Sequence, residues 1–267
     1  HLVIDEADLM LAMGFINDVK KVIKLTPENR QTLLFSATMP LEVRELADEF
    51  LTRPKYISVD PISSASDNVS HKAYLVEKAD KRNLLNHLIK TNELKNVLVF
   101  VRTKQSADAT KDSLLKNGFK ADSIHGDKSQ AARNAVLESF KNKEIDILIA
   151  TDVAARGIDI EGLPMVINLD LPNIPETFVH RIGRTGRAGA LGLAISFCSK
   201  DEKVYLTDIE KHLRFKIKIV KDNPFPWREG EAVKKDFRKK YNPNGSKAGN
   251  SNSRKSENSK KNKKRWY

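Results

Sequence analysis

Short, nearly uninterrupted apolar runs recur along the chain: Leu2–Ile4, Thr32–Phe35, Val97–Val101, Ile145–Ala150 and Leu193–Phe197. Runs of this length are expected of parallel strands, which are covered by helices on both faces. Between them, apolar residues return at helical spacing, as in Val43/Leu46/Ala47/Phe50, Leu84/Leu85/Leu88/Ile89 and Ala132/Val136/Phe140. The predicted helices run from Asp8 or Gly14 to Lys24, over Leu41–Leu51 with Pro40 at the first helical position, over Lys81–Lys90, from Ser106 to Asn117 before Gly118, and over Ser129–Phe140. Leu206, Ile209 and Leu213 mark a closing helix. Strands Tyr56–Val59, Ala73–Val76, Ala121–Ile124 and Val166–Leu169 complete the alternation. Strand alternating with helix predicts an α/β fold, with parallel sheets covered by helices and ligands held at the carboxyl ends of the strands.

The 267 residues suit two domains. Asp60–Ser70 is rich in serine and poor in apolar residues, and it reads as a linker with no regular element before Val69. A first unit then ends at residue 59, and a second occupies 71–220. From 221 onward the pattern dissolves, and residues 242–264 are almost all Asn, Ser, Lys and Gly. Such a composition cannot bury enough surface to offset the entropy of ordering, so 221–267 is predicted to be a largely disordered tail.

Charge sharpens this picture. Of the net +12, residues 228–267 hold +10, from 14 Lys and Arg against 4 Asp and Glu, leaving +2 for the rest. A balanced body with a strongly basic tail points to nucleic acid as a partner, more than to an acidic membrane surface. No apolar stretch approaches membrane-spanning length, and no signal peptide is visible, so a cytoplasmic protein is expected. The single cysteine, Cys198, excludes a disulfide framework or a cysteine-built zinc site, and its setting in LAISFC suggests a buried thiol.

Candidate chemistry gathers at the predicted strand ends. Asp5 and Glu6 close the first apolar run, an arrangement suited to a Mg²⁺-binding carboxylate and a water-polarising one. Arg102-Thr103, His125-Gly126-Asp127 and Thr151-Asp152 follow three further strands. Each could be ordinary loop chemistry, with Asp127 or Ser129 as a helix cap; as a set they suggest one ligand edge. Ser36 and Thr38 could cap the helix that follows. Near the end, His180–Gly189 reads HRIGRTGRAG and spaces Arg181, Arg184 and Arg187 three apart, so that one helix face would aim several guanidinium groups at phosphate. Gly183, Gly186 and Gly189 would let backbone or ligand approach.

Asp5-Glu6-Ala7-Asp8, Ser36-Ala37-Thr38, the run from Ala150 to Asp159 and His180–Arg187 resemble, in order and spacing, motifs II, III, V and VI of the DEAD-box RNA helicases. The resemblance covers about residues 1–220. Asp222–Trp227 and the tail are most similar to the bacterial RhlE-like subgroup. The resemblance implies RecA-like domains, a partial first and a complete second, and ATP-dependent separation of short RNA duplexes. ATP and Mg²⁺ are its implied cofactors, with Mg²⁺ held by Asp5 through water. Glu6 would act on the attacking water, Arg184 and Arg187 would reach the ATP phosphates, and Gly157 and Asp159 would face the nucleotide. Ser36 and Thr38, bonded to Asp8, and His180 would couple the domains. Arg102, Thr103, Gly126, Gln130, Arg133 and Thr151 would meet or brace RNA.

No G-x-x-x-x-G-K-[ST] loop occurs, and His1 opens inside a predicted strand, so the chain reads as a fragment that begins within the first domain. Two rivals are a non-enzymatic RNA-binding module and a DNA-acting ATPase of the same superfamily. The RNA target, and ribosomal or RNA-decay assemblies as partners, are not legible in the sequence.

Overall fold

The structure is a computed structural model that describes residues 1–58, 68–155, 160, 162–186 and 191–227. Predictions about the linker over 59–67, about Gly157, Asp159 and Arg187, and about the tail from 228 onward lie outside those residues. Two parallel sheets are present among the described residues. A small one pairs β1 (Leu2–Ile4) with β2 (Thr32–Leu34). The larger one contains β3 (Val69–Leu75), β4 (Val97–Val101), β5 (Ala121–Ile124), β6 (Ile147–Thr151), β7 (Met165–Asn168), β8 (Gly192–Cys198) and β9 (Lys218–Ile219). Its strand order is β5-β6-β4-β7-β8-β3-β9, with every pair parallel.

The helices are α1 (Ala7–Ala12), α2 (Ile16–Lys24), α3 (Leu41–Phe50), α4 (Lys81–Asn92), α5 (Lys104–Lys116), α6 (Gln130–Lys141), α7 (Asp152–Ala155), α8 (Pro175–Ile182) and α9 (Lys203–Leu213). Every residue of β4 and β6 is buried, as their apolar runs require of strands covered on both faces. The faces belong to two different cores. Val97, Val99 and Val101 pack with Leu84, Leu85 and Leu114 from α4 and α5, whereas Leu98 and Phe100 pack with Phe140 from α6. A period of two along one strand thus feeds both sides of the sheet. No described helix is long and apolar enough to cross a membrane.

Several local expectations are corrected. Of the two starts expected for the helix ending at Lys24, the later one holds within two residues, and the earlier one is excluded because Gly14 at φ +78 separates α1 from α2. Pro40 is the residue before α3, at φ −63 and ψ 167, and not its first helical residue. Residues 56–58 form no strand; Tyr56 and Ile57 stay 64% and 83% exposed, and β-propensity has no effect without a partner. β3 starts at Val69, four residues before the predicted Ala73, because it pairs along its whole length with β8. β9 was not anticipated: its two residues are recruited only by the free edge of β3.

Residues 222–227, the other end of the predicted tail, are tied to the sheet. The Asn223 amide donates to the Leu75 carbonyl at 2.7 Å, and the Trp227 indole N–H donates to the carbonyls of Val76 and Cys198 at 3.1 and 2.9 Å. The Cys198 thiol is buried, and burial pushes its pKa up to about 12, so it is unreactive, as its sequence setting suggested.

His71 on β3 lies against the rings of Phe178 and Phe215, and neither ring nitrogen has a hydrogen-bond partner. Burial lowers its pKa from 6.5 to about 4. The unfolded chain therefore binds a proton in a window where the folded chain does not, and stability is lost as pH falls from about 6.5 toward 4. The urea midpoint is expected to drop between pH 7 and pH 5, and His71→Leu to flatten that drop. An identical pH profile for parent and variant would show that His71 contributes nothing to it.

Candidate nucleotide and RNA site

The small sheet carries Asp5 out at the end of β1, exposed, where its Oδ1 accepts the Glu6 amide at 2.9 Å. Glu6 holds φ 53 and ψ 45, a left-handed conformation that costs a residue with a side chain about 1–3 kcal/mol and that clusters at functional sites. Asp8 is buried, and its Oδ2 accepts both the Thr38 amide at 2.9 Å and the Thr38 hydroxyl at 2.7 Å. The Ser36 hydroxyl accepts the Asp8 amide at 3.1 Å and donates to the Thr38 carbonyl at 2.7 Å. Ser36 and Thr38 therefore bind back to Asp8 and do not cap α3, whose N-terminus has no side-chain cap. The two segments are thirty residues apart in sequence and meet because β1 and β2 are paired in register.

At the carboxyl edge of the large sheet, α8 ends and Arg184 follows one residue after its cap, Gly183. Glu6, His180 and Arg184 line one small cleft together with Asp152, Thr177 and Arg181. The expectation that Arg181, Arg184 and Arg187 share a phosphate-facing surface is corrected for Arg181. It is 2% exposed, and its Nε and Nη2 donate to the two carboxylate oxygens of Asp152 at 2.6 and 2.8 Å. Its Nη1 donates to Asn168 Oδ1 and to the Asp170 carbonyl, and its guanidinium lies over Phe100. Arg181 is thus a buried post that fixes the start of the Arg184 segment to β6 and β7. Gly186 serves the same packing. It takes φ +69, and a Cβ there would stand 2.5 Å from Val69 Cγ2, so a side chain would be both strained and blocked.

The predicted RNA contacts lie on this edge at the ends of β4, β5 and β6. Thr103 caps α5, its hydroxyl accepting the Ser106 amide, and Ser129, not Asp127, caps α6. Gly126 has open space where a Cβ would stand. Gln130 and Arg133 bond to each other on α6, and Arg133 reaches the Ala154 carbonyl. Thr151 is 9% exposed at the end of β6. Arg102 differs from the rest, since its Nη2 already donates to Glu202 Oε1 at 3.0 Å and to the Leu171 carbonyl at 2.8 Å.

Glu202, Lys81 and Asp170 went unnoticed in the sequence. Lys81 donates to Glu202 at 2.6 Å and to Asp170 at 3.0 Å, with side-chain exposures of only 5%, 3% and 18%. Burial alone would raise the Asp170 carboxyl, but Lys81 and the Arg102 amide hold it below the usual carboxylate range. Removing one member of such a buried group costs about 3–5 kcal/mol, because it strands its partners. One signal was legible: Ser199-x-x-Glu202 is a capping box, and both of its hydrogen bonds form.

A single exposed carboxylate with a second beside it fits Mg²⁺, which keeps several waters and takes substrate phosphate as a further ligand. Among the described residues no cluster of three or more His, Cys, Asp or Glu could hold a metal ion.

Residues 80–189 match the helicase conserved C-terminal domain family, and residues 1–46 match the DEAD/DEAH box helicase family. The ATP-dependent RNA helicase CshA of Limosilactobacillus reuteri is 43% identical over 216 residues, which are 81% of this chain and 44% of that relative. The chain therefore spans about half the length of such curated relatives. The solved DEAD-box protein SrmB of E. coli, bound to regulator of ribonuclease activity A, is 32% identical with a TM-score of 0.55, covering 61% of this chain and 98% of the solved one. The S. cerevisiae protein Dbp5 bound to RNA and ADP BeF3 has a TM-score of 0.72 at 32% identity, over 82% of this chain and 58% of the other.

Proposed function

The chain belongs to the DEAD-box family of ATP-dependent RNA helicases, and on that premise we propose that the whole protein separates short RNA duplexes locally, driven by ATP hydrolysis. Residues 1–59 are the C-terminal part of an ATP-binding domain, 60–70 a linker, and 71–220 the second helicase domain. The observation that carries this reading is the cleft shared by Glu6 from one sheet and His180 and Arg184 from the other. A carboxylate facing an arginine suits phosphoryl transfer, since one orients water and the other stabilises charge on the transferred phosphoryl group. Mg²⁺ neutralises phosphate charge when bound, and Asp5 is the residue that would hold it. The motif resemblance would add Arg187 as a second cation and would turn Gly157 and Asp159 to the nucleotide.

Thr103, Gly126, Gln130, Arg133 and Thr151 form an edge of hydroxyls, backbone and amide groups suited to phosphate and sugar, which position RNA without reading its bases. Proteins such as Dbp5, solved with RNA, favour RNA over DNA for this site. In this reading the protein acts in the cytoplasm and belongs to the RhlE-like subgroup, a reading supported by the likeness of Asp222–Trp227 and the basic tail.

Ser36, Thr38 and Asp8 link the ATP side to strand separation. In the full-length protein, alanine at both Ser36 and Thr38 is expected to leave RNA-stimulated phosphate release within about threefold of the parent while reducing duplex separation by on the order of tenfold or more, because the hydrolytic groups remain and only a relay is cut. Phosphate release and gel-resolved unwinding, measured together, check this. A parent protein stimulated equally by DNA would favour the DNA-acting reading, and one that RNA does not stimulate would favour a non-enzymatic binding module.

A further inference from the structure

The two lateral edges of the large sheet are finished differently. In a parallel pair, residues alternate between turning both backbone groups toward the partner strand and turning both away. On the β5 edge the outward amide is that of Ser123, and the Asp122 carboxylate accepts it at 2.6 Å. On the β9 edge the Val220 amide donates inward to the Ala73 carbonyl, so Ile217 and Ile219 carry the outward groups. Glu210 Oε1 accepts the Ile217 amide at 3.1 Å. The Ile219 amide has no such partner among the described residues.

This edge also has two chemically distinct faces. Lys72 and Lys218 are register partners and project from one face, the one on which Tyr74 and Val220 pack with α4 and α5. Neither lysine is ion-paired among the described residues, and exposed Lys221 follows. Burial and the charge of Asp222 raise the Tyr74 phenol, so that acid lies near this face, where the lysines outnumber it. The opposite face, shared with Ala73 and Ile217, carries Phe215 and Ile219, each 37% exposed. Lysines on an edge strand by themselves only discourage pairing between chains. Here they occupy one face, the other is apolar, and an open amide lies between them.

Glu210 already shows the chemistry that suits this edge. One of its oxygens takes an outward amide, and the other takes Lys216 Nζ at 2.6 Å. An RNA backbone would use the lysines but leave Phe215 and Ile219 in water. A peptide strand of matching alternation would use both faces and the amide together.

We propose that the outer edge of β9 is a docking site for an extended acidic segment of a partner protein. Its acids, at alternate positions, face Lys72 and Lys218, and the apolar residues between them cover Phe215 and Ile219. The segment adds one strand to the sheet, accepting the Ile219 amide and donating to the Ile219 carbonyl. β3, β8 and β7 separate this edge from β4, so the site is independent of the ATP and RNA readings.

The test uses the 267-residue chain and two labelled heptapeptides of one composition, Glu-Val-Glu-Val-Glu-Val-Glu and Glu-Glu-Val-Val-Val-Glu-Glu. Anisotropy gives affinity, and hydrogen exchange resolved by NMR gives the place. The alternating peptide is expected to bind saturably below about 1 mM, about fivefold tighter than the blocked one, and to slow exchange of the Ile219 amide. Ile219→Pro deletes only an outward N–H, a change that edge strands tolerate, and should weaken the alternating peptide by about three- to tenfold. Lys218→Glu should weaken it by about fivefold or more, because a like charge then faces the acids.

Absence of saturable binding below about 1 mM, equal affinity for the two peptides, or unchanged exchange at Ile219 would overturn the proposal. So would a Lys218→Glu chain that loses affinity for oligouridylate while the parent ignores the peptide, since the lysines would then serve RNA. Should Ile219→Pro fail to fold, the exchange of the Ile219 amide in the parent decides the matter.

Discussion

Arg184→Ala in the full-length protein is expected to slow RNA-stimulated ATP hydrolysis by on the order of 10³-fold or more, with RNA binding in the absence of nucleotide changed by less than about threefold. Arginines that stabilise the charge of a transferred phosphoryl group contribute on the order of 10³–10⁵ in kcat, because they act in the transition state. The structure supplies the rigidity such a role requires. Arg184 leaves the end of α8, its amide donates to the Arg181 carbonyl at 3.2 Å, and Arg181 is itself clamped on Asp152 and Asn168. The Arg184 carbonyl accepts the Leu163 amide at 3.0 Å, tying the same turn to the loop before β7.

Arg187→Ala, at a position outside the described residues, is expected to behave like Arg184→Ala. Glu6→Gln should also stop turnover while nucleotide still binds, since Asp5 is untouched. Phosphate release at saturating ATP and RNA is the measurement, and a rate for Arg184→Ala within about twofold of the parent would remove Arg184 from the reaction.

Ending the protein at Trp227 is expected to flatten the salt dependence of RNA binding by about 4 to 5 units of log–log slope. The removed residues hold 14 of the Lys and Arg and only 4 Asp and Glu, so most of the net positive charge leaves with them. Each phosphate neutralised on a single strand contributes about −0.7 to the slope, and engagement of roughly half of the cations gives that figure. The cut is placed with the anchor in view. Trp227 donates to Val76 and Cys198 at the ends of β3 and β8, and Phe225 packs against the core on the α4 side, so the truncated chain keeps both.

Affinity for unrelated RNAs should weaken alike, because the loss is electrostatic and carries no sequence preference. ATP hydrolysis at saturating RNA should hardly change, since Glu6, Arg184 and Arg187 all precede the cut. A salt titration of full-length and shortened protein decides it: equal slopes would make the tail a solubilising appendage and confine RNA binding to the folded part.

What the sequence determined by itself was everything set by local pattern. The five-residue run Val97–Val101 is a strand with the predicted bounds, as an apolar run covered on both faces requires, and the edge strand Ala121–Ile124 also keeps its predicted bounds. Gly118 was readable as a helix stop from its own chemistry, and it takes φ +80 directly after the cap at Asn117. The motif residues Asp5, Glu6, Asp8, Ser36, Thr38, His180 and Arg184 were legible as types in order.

Tertiary structure decided which of them point where. Three arginines at equal spacing look equivalent along a chain, yet Arg181 is buried on Asp152, a partner 29 residues away that no spacing rule names. Arg102 reads along the chain as a free RNA contact, yet Glu202, 100 residues on, takes its Nη2 and Tyr205 lies against its guanidinium. The two-residue β9 and the seat of Trp227 exist only because β3 presents a free edge and open carbonyls at its end. Local pattern fixes secondary structure because it depends on neighbours in the chain. The fate of a charge depends on neighbours in space, and those are set only when the strand order brings distant loops to one edge.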